Sequence, residues 1–258
     1  MAILEMSYYS VALKQSVTLN VILPEINKYA DGVGREDGEY KTLYLLHGLS
    51  GEFSHWLRYT SIERYAKKYN IAVVMPNVNR SWYTDTAYGI NYFTFVTEEL
   101  PLVCRSYFKG MSDKREDNFI AGLSMGGYGA VKAALVCPEV FGGCASLSGS
   151  LDITRRGRPY DLEEWRGIFG FDLESAAQLE GTKHDVFALT EQNKKDGKPF
   201  AKMFLWCGTE DSLISVNRNY RDLLCKLNIE HTYKESEGDH SWKYWDKHIV
   251  DALEFLFG

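Results

Sequence analysis

The sequence predicts an α/β fold with a mostly parallel central sheet, and three of its patterns lead to this prediction. Short apolar stretches recur along the chain without polar alternation, as is typical of parallel strands buried on both faces. Amphipathic stretches of helical length separate them, so that strands and helices alternate. Two stretches with a period of two residues precede this pattern. We therefore expect an N-terminal antiparallel hairpin and helices on both faces of the sheet.

The hairpin is predicted from residues 7–13 and 16–23, where apolar and polar side chains alternate on either side of Lys14 and Gln15. A loop should follow at residues 24–40, because this stretch contains three glycines and several charges without periodicity.

The rest of the chain supplies the parallel strands and the helices. The predicted strands are residues 42–46, 71–75, 118–121, 143–147 and 203–206, with a further strand-like run at 232–234. The predicted helices are residues 61–69, 92–107, 128–135, 216–227 and 242–257. Pro101 lies inside the second helix and should kink or restart it, because proline has no N–H to donate. Residues 152–199 interrupt the alternation with scattered apolar residues, so we expect an insertion that lies over the edge of the sheet.

Length, composition and charge narrow the class of protein. A chain of 258 residues suits one large α/β domain or two small ones, and the alternation of strands and helices favours one. Hydrophobic residues at 45% and charged residues at 25% exclude disordered, collagen-like and coiled-coil proteins. The net charge of −6 argues against binding to a nucleic-acid backbone.

The amino terminus and the cysteines predict a cytoplasmic location. The first residues lack the basic region and the apolar stretch of a signal peptide, and no run of 18 apolar residues predicts a membrane helix. The five cysteines are odd in number and none has CxxC spacing, which indicates a reducing compartment.

A Gly-x-Ser-x-Gly motif at residues 122–126 carries the strongest chemical signal. It directly follows a predicted strand and precedes a predicted helix, the context of a nucleophile elbow, in which Ser124 occupies a strained turn. Gly122 and Gly126 flank the serine because a Cβ at either position would collide across the turn. The amides that follow would face the oxygen that becomes negative in acyl transfer. The alternative is a glycine-rich turn that only packs a helix closely on the sheet.

A carboxylate partner is expected later in the chain, since nucleophile elbows precede their acid and then their histidine. The strand-like run at 203–206 leads into Glu210 and Asp211, which should lie at the carboxyl edge of the sheet, where such folds bind ligands. We choose Asp211, with Glu210 as its competitor. The alternative is that both acids cap the helix that begins near Ser215.

The histidine partner is predicted by elimination to be His240. His184 precedes the acid in the chain, His231 should lie at the opposite end of its strand, and His248 falls inside the last helix. His240 lies in the polar loop before that helix, at the same sheet edge as the serine. Asp239 beside it is interpreted as a loop or cap residue and not as the orienting acid.

Two backbone amides are predicted to bind the developing oxyanion. One is the N–H of Met125 in the elbow, and the other is the N–H of Leu49, which follows His47 and Gly48 after the third strand. For His47 itself we expect a structural role in orienting the turn.

Three motifs together resemble the esterase D-like group of α/β-hydrolases. They are residues 47–51 (HGLSG), 122–129 (GLSMGGYG) and 238–242 (GDHSW). That group includes tributyrin-type carboxylesterases, S-formylglutathione hydrolases, feruloyl and acetylxylan esterases, and mycolyltransferases. Residues 79–85 and 165–169 are most similar to the small bacterial tributyrin esterases.

The resemblance implies an α/β-hydrolase fold and a serine carboxylesterase for short-chain acyl esters, with Ser124, Asp211 and His240 as its triad and with no metal or organic cofactor. It makes residues 1–258 a single catalytic domain with 152–199 as a cap-like insertion. S-formylglutathione hydrolase and feruloyl or acetyl esterase activities remain open. An alternative from another class is a catalytically silent hydrolase fold that serves as a binding module.

Substrate contacts follow from the same resemblance. Trp82 and Tyr83 resemble a wall of the acyl pocket, and Trp165 of the cap-like insertion is expected to line the same pocket. Plain packing is the alternative for the two tryptophans. A basic cluster in the insertion could favour acidic substrates, although a solvated face is the alternative. The cluster consists of Arg155, Arg156 and Arg158. The partners implied are a small-molecule ester, no nucleic acid and no membrane, and exposed aromatic side chains would permit a homo-oligomer.

Overall fold

A computed structural model describes residues 1–24, 39–154 and 162–258. Its strands form one eight-stranded sheet in the order β1-β2-β4-β3-β5-β6-β7-β8. The strands are β1 (Ala2–Ser10), β2 (Gln15–Leu23), β3 (Thr42–Leu46), β4 (Ala72–Met75), β5 (Asn118–Leu123), β6 (Gly143–Leu147), β7 (Lys202–Gly208) and β8 (Thr232–Ser236). Only β2 runs in the direction opposite to the other seven strands, which confirms a mostly parallel sheet.

Helices connect the strands. They are α1 (His55–Tyr59), α2 (Ile62–Tyr69), α3 (Tyr92–Thr94), α4 (Leu100–Tyr107), α5 (Met125–Val136), α6 (Leu162–Phe169), α7 (Val186–Lys195), α8 (Ile214–Lys226) and α9 (Trp242–Phe257), with short 3-10 turns at Arg115–Asp117 and Ala176–Leu179. In the part of the chain that the structure describes, no helix has the length and apolar character needed to span a membrane.

The N-terminal hairpin is present, and its first strand begins earlier than predicted. The register runs from Ala2 opposite Leu23 to Ser10 opposite Gln15. The prediction placed this strand at 7–13, because the first residues of β1 show no alternation. At the edge of the sheet even Ile3 is 49% exposed, so burial does not impose a period of two there. Most of the predicted loop at 24–40 lies outside the described residues.

The parallel strands agree closely with their predicted ranges. The bounds of β3 and β6 are as predicted, and β4 begins one residue later than predicted. The predicted range of β5 ended too early, at residue 121, because Gly122 and Leu123 were interpreted as part of the turn. Every residue of these four strands is buried, which explains why they are mostly apolar and show no period of two.

Two hydrophobic layers enclose the sheet. Leu43 and Leu45 of β3 face one layer, which includes the buried faces of α2 and α9. Tyr44 and Leu46 face the other layer, which includes the buried faces of α4, α5 and α8. Burial of each leucine contributes about 1.5–3 kcal/mol relative to exposure. The predicted helices on both faces are thereby confirmed.

Pro101 restarts a helix, as predicted. The chain forms α3, then a π-helical segment at Phe95–Glu99, and then α4, which carries Pro101 in its first turn. The widened turn lies where proline cannot donate the backbone hydrogen bond of a regular helix.

The described residues of the insertion, 152–154 and 162–199, pack differently from the prediction. Their main contact is with α5 and not with the edge of the sheet: the Tyr128 hydroxyl donates to His184 O at 2.8 Å, and the Asn193 amide donates to Leu135 O at 2.6 Å. The pattern was hard to interpret because α6 and α7 are only 8 and 10 residues long and each buries only two or three residues. The predicted basic cluster of Arg155, Arg156 and Arg158 lies outside the described residues.

Candidate active site

Ser124 occupies the sharp turn between β5 and α5. Its φ is 54° and its ψ is −117°, a conformation that costs a non-glycine residue about 1–3 kcal/mol. Neighbouring backbone holds it there, since the Ser124 N–H donates to Leu147 O at 3.0 Å and the Ser150 N–H donates to Ser124 O at 3.1 Å. The strain lifts the serine side chain out of the strand at the carboxyl edge of the sheet.

The flanking glycines are required by close backbone contacts. A Cβ on Gly122 would lie 2.5 Å from the carbonyl of Gly126, and a Cβ on Gly126 would lie 2.6 Å from Leu46 O and 2.7 Å from His47 O. The predicted collisions are therefore real. The close helix packing that we considered as the alternative is present too, so the same glycines serve both purposes.

His240 bridges the serine and the aspartate. Its Nε2 lies 3.1 Å from Ser124 Oγ, and its Nδ1 lies 2.8 Å from Asp211 Oδ2. Because Asp211 is ionised, Nδ1 carries the imidazole proton and donates a hydrogen bond to the carboxylate. Nε2 is then unprotonated and accepts a hydrogen bond from the serine hydroxyl. The structure thus brings together all three residues predicted from the sequence.

The Asp211 carboxylate is buried and hydrogen-bonded. Its side chain is 0% exposed, and its Oδ1 accepts from the Leu213 N–H at 2.8 Å. Burial alone would raise the pKa of Asp211, but hydrogen bonds from His240, Leu213 and Ser148 hold this pKa below its ordinary value. The carboxylate therefore stays ionised opposite the imidazole.

Glu210, the competing acid, has another task. Its carboxylate accepts from the Gly238 N–H at 2.7 Å, and the Glu210 N–H donates to Gly238 O at 3.1 Å. The hydrogen bonds from Gly238 and from Thr209 lower the pKa of Glu210. Glu210 thus fastens the loop that precedes His240 and does not orient the imidazole.

The other downstream histidines lie away from Ser124. His248 stacks on Trp206 with 4.1 Å between ring centroids and shares a hydrogen bond with Ser236. His231 bonds to Ile229 O at the start of β8, the opposite end of that strand. Both positions agree with the sequence prediction, which excludes these two histidines as the partner of Ser124. Within residues 1–24, 39–154 and 162–258, no cluster of three or more His, Cys, Asp or Glu side chains is arranged to hold a metal ion.

His47 orients the loop after β3. Its Nε2 accepts from the Val78 N–H at 3.1 Å, and its Nδ1 lies 2.7 Å from Gly48 O, to which it donates. Burial lowers the pKa of His47 to about 4, so the ring is neutral near pH 7. These bonds correspond to the structural role expected for His47.

The loop with Leu49 passes beside the elbow. A Cβ on Gly48 would lie 3.6 Å from Ser124 Cβ. The Leu49 N–H makes no hydrogen bond to another of the described residues. The Met125 N–H is the first amide of α5, a position without a partner inside the helix. Two amides that have no acceptor among the described residues therefore lie beside the serine.

The three aromatic residues expected to wall an acyl pocket lie in the core instead. Trp82, Tyr83 and Trp165 are 2%, 1% and 4% exposed. Trp82 and Tyr83 both adopt positive φ angles, and the Tyr83 ring fills the space above Gly129, where a Cβ would lie 2.5 Å away. This burial corresponds to the packing alternative. The sequence motif could not show it, because it depends on how the chain turns beneath α5.

Lys132 is a buried charge that the sequence did not reveal. Its ammonium group donates to Tyr83 O at 3.0 Å and to Thr84 Oγ1 at 2.8 Å, and it lies 3.4 Å from His184 Nδ1. Burial lowers the pKa of Lys132 to about 7. A lysine in an amphipathic helix usually faces solvent, so the pattern alone carries no signal for this position.

The fold and the site define a class of protein. A mostly parallel sheet with helices on both faces carries a serine on a strand-to-helix turn, hydrogen-bonded to a histidine at the carboxyl edge. This is the arrangement of the serine hydrolases with an α/β-hydrolase fold.

Comparison with known proteins identifies the family. The chain belongs to the Esterase family, whose model, described as "Putative esterase", matches residues 10–256. It is 37% identical to an acetyl esterase from Caldicellulosiruptor saccharolyticus over 268 aligned positions, which cover 99% of this chain and 98% of that protein.

Two solved structures from Staphylococcus aureus show the same fold. The substrate-bound fluorophosphonate-binding serine hydrolase F superposes with a TM-score of 0.88 at 34% identity and covers 100% of this chain and 98% of its own. An S-formylglutathione hydrolase apoenzyme superposes with a TM-score of 0.86 at 34% identity, with 100% and 99% covered. The expected family and fold are confirmed, and the protein is a carboxylic-ester hydrolase.

Proposed function

We propose that this protein is a serine carboxylesterase that hydrolyses short-chain acyl esters through an acyl-enzyme intermediate. The observation that carries this proposal is the unbroken chain of hydrogen bonds from Ser124 through His240 to Asp211. The similarity to an acetyl esterase supports a small acyl group.

In the first half-reaction, His240 Nε2 removes the proton from Ser124 Oγ as this oxygen attacks the ester carbonyl. The imidazolium that forms is stabilised by the buried, ionised Asp211, which also holds the ring in the correct tautomer. The tetrahedral intermediate then collapses, His240 Nε2 gives its proton to the alcohol oxygen, and the acyl group remains on Ser124.

The negative oxygen of the tetrahedral intermediate is bound by the N–H groups of Leu49 and Met125. Support comes from the position of Gly48 beside Ser124 and from the Leu49 amide, which has no acceptor in the described part of the chain. Loss of one such donor lowers kcat by about 10²–10³-fold in comparable sites.

In the second half-reaction, a water molecule replaces the alcohol. His240 removes one proton from this water, the hydroxyl attacks the acyl carbon, and the proton returns to Ser124 Oγ as the carboxylic acid leaves. The partial exposure of the His240 side chain, 34%, allows water to reach the site.

A second candidate substrate is S-formylglutathione, because one of the similar solved structures is an S-formylglutathione hydrolase. The same acyl-enzyme chemistry would release a thiol instead of an alcohol. Specificity constants for S-formylglutathione, methyl ferulate, acetylated xylooligosaccharides and p-nitrophenyl esters from C2 to C10 separate the candidates. We expect the highest value for a C2 to C4 oxygen ester.

A fluorophosphonate probe and the variant Ser124→Ala test the nucleophile. The wild type should form a covalent adduct at Ser124, and the variant should form none, with ester hydrolysis about 10⁶-fold lower and an unchanged circular dichroism spectrum. Retained turnover of p-nitrophenyl acetate by the variant would refute the assignment. An unlabelled wild type would favour a catalytically silent binding module.

Three further expectations belong to this proposal. Residues 1–258 act as one catalytic domain, since the site combines side chains from residue 124 to residue 240. The five cysteines are all free thiols, which supports a cytoplasmic location. We also expect a homo-oligomer, because Tyr9, Tyr107 and Phe171 are 64–68% exposed; light scattering measures this directly.

A further inference from the structure

The segment that follows β6 holds the backbone of the elbow. Leu147 accepts a hydrogen bond from the Ser124 N–H, and Ser150 donates one to Ser124 O. Ser148 lies between these two contacts, so any shift of Ser148 would be transmitted to both sides of Ser124.

Ser148 itself is buried and strained. It is 0% exposed, its φ is 49°, and its N–H donates to Trp206 O at 2.7 Å. A non-glycine residue keeps a left-handed conformation only where its surroundings enforce it, and such strain collects at functional sites. A glycine would adopt this conformation without strain. The presence of a serine here therefore points to a role for its hydroxyl group.

The Ser148 hydroxyl lies between α9 and the acid of the site. Its Oγ accepts from Trp245 Nε1 at 3.1 Å, and the Ser148 hydroxyl is among the groups that lower the pKa of Asp211. Because the indole N–H donates to Oγ, the hydroxyl proton of Ser148 remains available for a second acceptor.

Trp245 in turn packs against His240. The two rings are perpendicular, with an interplanar angle of 89° and centroids 4.9 Å apart. Trp245 is only 5% exposed, and its bond to Ser148 stops the indole from rotating in its pocket. The contacts thus run from Ser148 to Trp245, from Trp245 to His240, and from His240 to Asp211.

We propose that Ser148 and Trp245 form a positioning pair that sets the plane of the His240 imidazole relative to Ser124. This inference rests on the proposed function, because it assigns the pair a task in proton transfer by His240. Neither residue touches the substrate. Their effect is on the orientation of the base.

The physical need for such a pair follows from the geometry of His240. The bond from Nδ1 to Asp211 fixes one point of the ring but leaves it free to tilt about the axis of that bond. A tilt would move Nε2 away from Ser124 Oγ, and a misplacement of about 1 Å can cost about 10²-fold in rate. The perpendicular indole blocks this tilt, while Ser148 keeps the indole in place.

Two variants remove the link from opposite sides. Trp245→Phe keeps an aromatic ring beside His240 but removes the Nε1–H, and Ser148→Gly removes the hydroxyl while tolerating the positive φ. We expect each to lower kcat for p-nitrophenyl acetate by about tenfold or more with little change in KM. Because they break the same link, their effects should not add in the double variant.

Trp56→Phe is the matched control. Trp56 is a tryptophan with 1% exposure whose Nε1–H donates to Leu46 O at 3.0 Å, and it belongs to the same aromatic cluster without contacting His240. Loss of this hydrogen bond in Trp56→Phe should lower the free energy of unfolding by about as much as the loss of the Nε1–H does in Trp245→Phe. After active sites are counted by fluorophosphonate titration, its kcat should stay within twofold of the wild type.

A measurement on His240 itself decides whether the pair positions the ring. In ¹H–¹⁵N NMR spectra of the imidazole, the Nδ1–H signal should shift or broaden in Trp245→Phe and Ser148→Gly and remain unchanged in Trp56→Phe. Unchanged kcat and unchanged His240 signals in both test variants would overturn the proposal. If the wild type hydrolysed no ester, the proposed function would fail, while the NMR comparison would still decide the role of the pair.

Discussion

Ser124 and His240 are separated by 116 positions in the sequence, yet the Oγ of the serine lies 3.1 Å from the Nε2 of the histidine. The sheet creates this contact, since β5 and β8 run in the same direction and end at the same edge. The site therefore depends on whole strands keeping their positions, and a change far from Ser124 in sequence can displace its partners.

Asp211→Asn should abolish most activity while leaving the fold intact. The amide can donate to Nδ1 or accept from it weakly, so the imidazole loses the tautomer that leaves Nε2 unprotonated. In a comparable triad this change lowers kcat about 10⁴-fold. Steady-state kinetics on p-nitrophenyl acetate measure the effect.

Glu210→Gln is the control for that experiment, because Glu210 bonds to Gly238 and not to His240. Its kcat should fall by less than tenfold. Equal losses in the two variants would mean that the orienting acid has been assigned to the wrong carboxylate.

Lys132→Met should remove a pH dependence of stability. The folded-state pKa of Lys132 is about 7, and its ordinary value is 10.5. Between these values the unfolded chain binds a proton that the folded chain does not, so this lysine makes the free energy of unfolding rise with pH. The slope is at most about 1.4 kcal/mol per pH unit. Below pH 7 both states are protonated, and the contribution no longer changes.

Urea denaturation of the wild type and of Lys132→Met between pH 7 and 9 tests this expectation. The difference in unfolding free energy, wild type minus variant, should increase over that range. The exposed Lys226, changed to Met, is the control and should give a constant difference. Parallel curves for the wild type and Lys132→Met would show that Lys132 does not titrate there.

Gly126→Ala should destabilise the protein. The new methyl group would meet Leu46 O and His47 O at 2.6 and 2.7 Å, and backbone atoms cannot move aside as a flexible side chain can. Overpacking of this kind costs about 1–3 kcal/mol, and it would shift the elbow as well. Thermal unfolding and kcat should therefore both fall.

Gly167→Ala is the matched control for the glycine experiment. Gly167 lies in α6, and the nearest atom to its added Cβ would be in the Tyr88 side chain at 3.4 Å. Because alanine favours helix formation over glycine, we expect a gain of up to about 1 kcal/mol. A loss of stability equal to that of Gly126→Ala would contradict the steric argument.

Tyr83→Phe distinguishes packing from substrate binding. The Tyr83 hydroxyl donates to His47 O at 2.9 Å in a buried environment, so its removal should cost about 0.5–1.5 kcal/mol of stability. KM for p-nitrophenyl acetate should stay within twofold. Tyr220→Phe is the control, because it also removes a buried hydroxyl, one that is hydrogen-bonded to Thr190 at 2.8 Å. It should lower stability by a similar amount and leave KM unchanged. A rise in KM in Tyr83→Phe but not in Tyr220→Phe would mean that Tyr83 contacts the substrate, as the sequence predicted.

Much of the architecture could be predicted because its causes are local. Strands buried on both faces are mostly apolar and lack a regular alternation with polar residues, so the predicted bounds of β3 and β6 match the observed ones. The turn at Ser124 needs glycines on either side, so a motif of five residues is enough to recognise it. Chain order then restricted the acid to two neighbours and the base to His240.

Other features of the structure depend on contacts between segments that are distant in the chain. Two packed helices of the insertion were missed because each shows too few turns for a clear period. Trp82 and Tyr83 look the same in sequence whether they wall a pocket or fill the core, and only the positive φ angles beneath α5 bury them. The burial of Lys132 is equally invisible, since its partners come from distant loops.

The sequence by itself determined the order of the elements, the elbow and the identity of the three hydrogen-bonded side chains, because these follow from spacing along the backbone. Only the tertiary structure decided that Glu210 fastens a loop, that Trp245 packs against His240 and donates to Ser148, and that Trp82, Tyr83 and Trp165 belong to the core. Burial, hydrogen-bond partners and pKa shifts arise from contacts between segments far apart in the chain, and no local pattern records them.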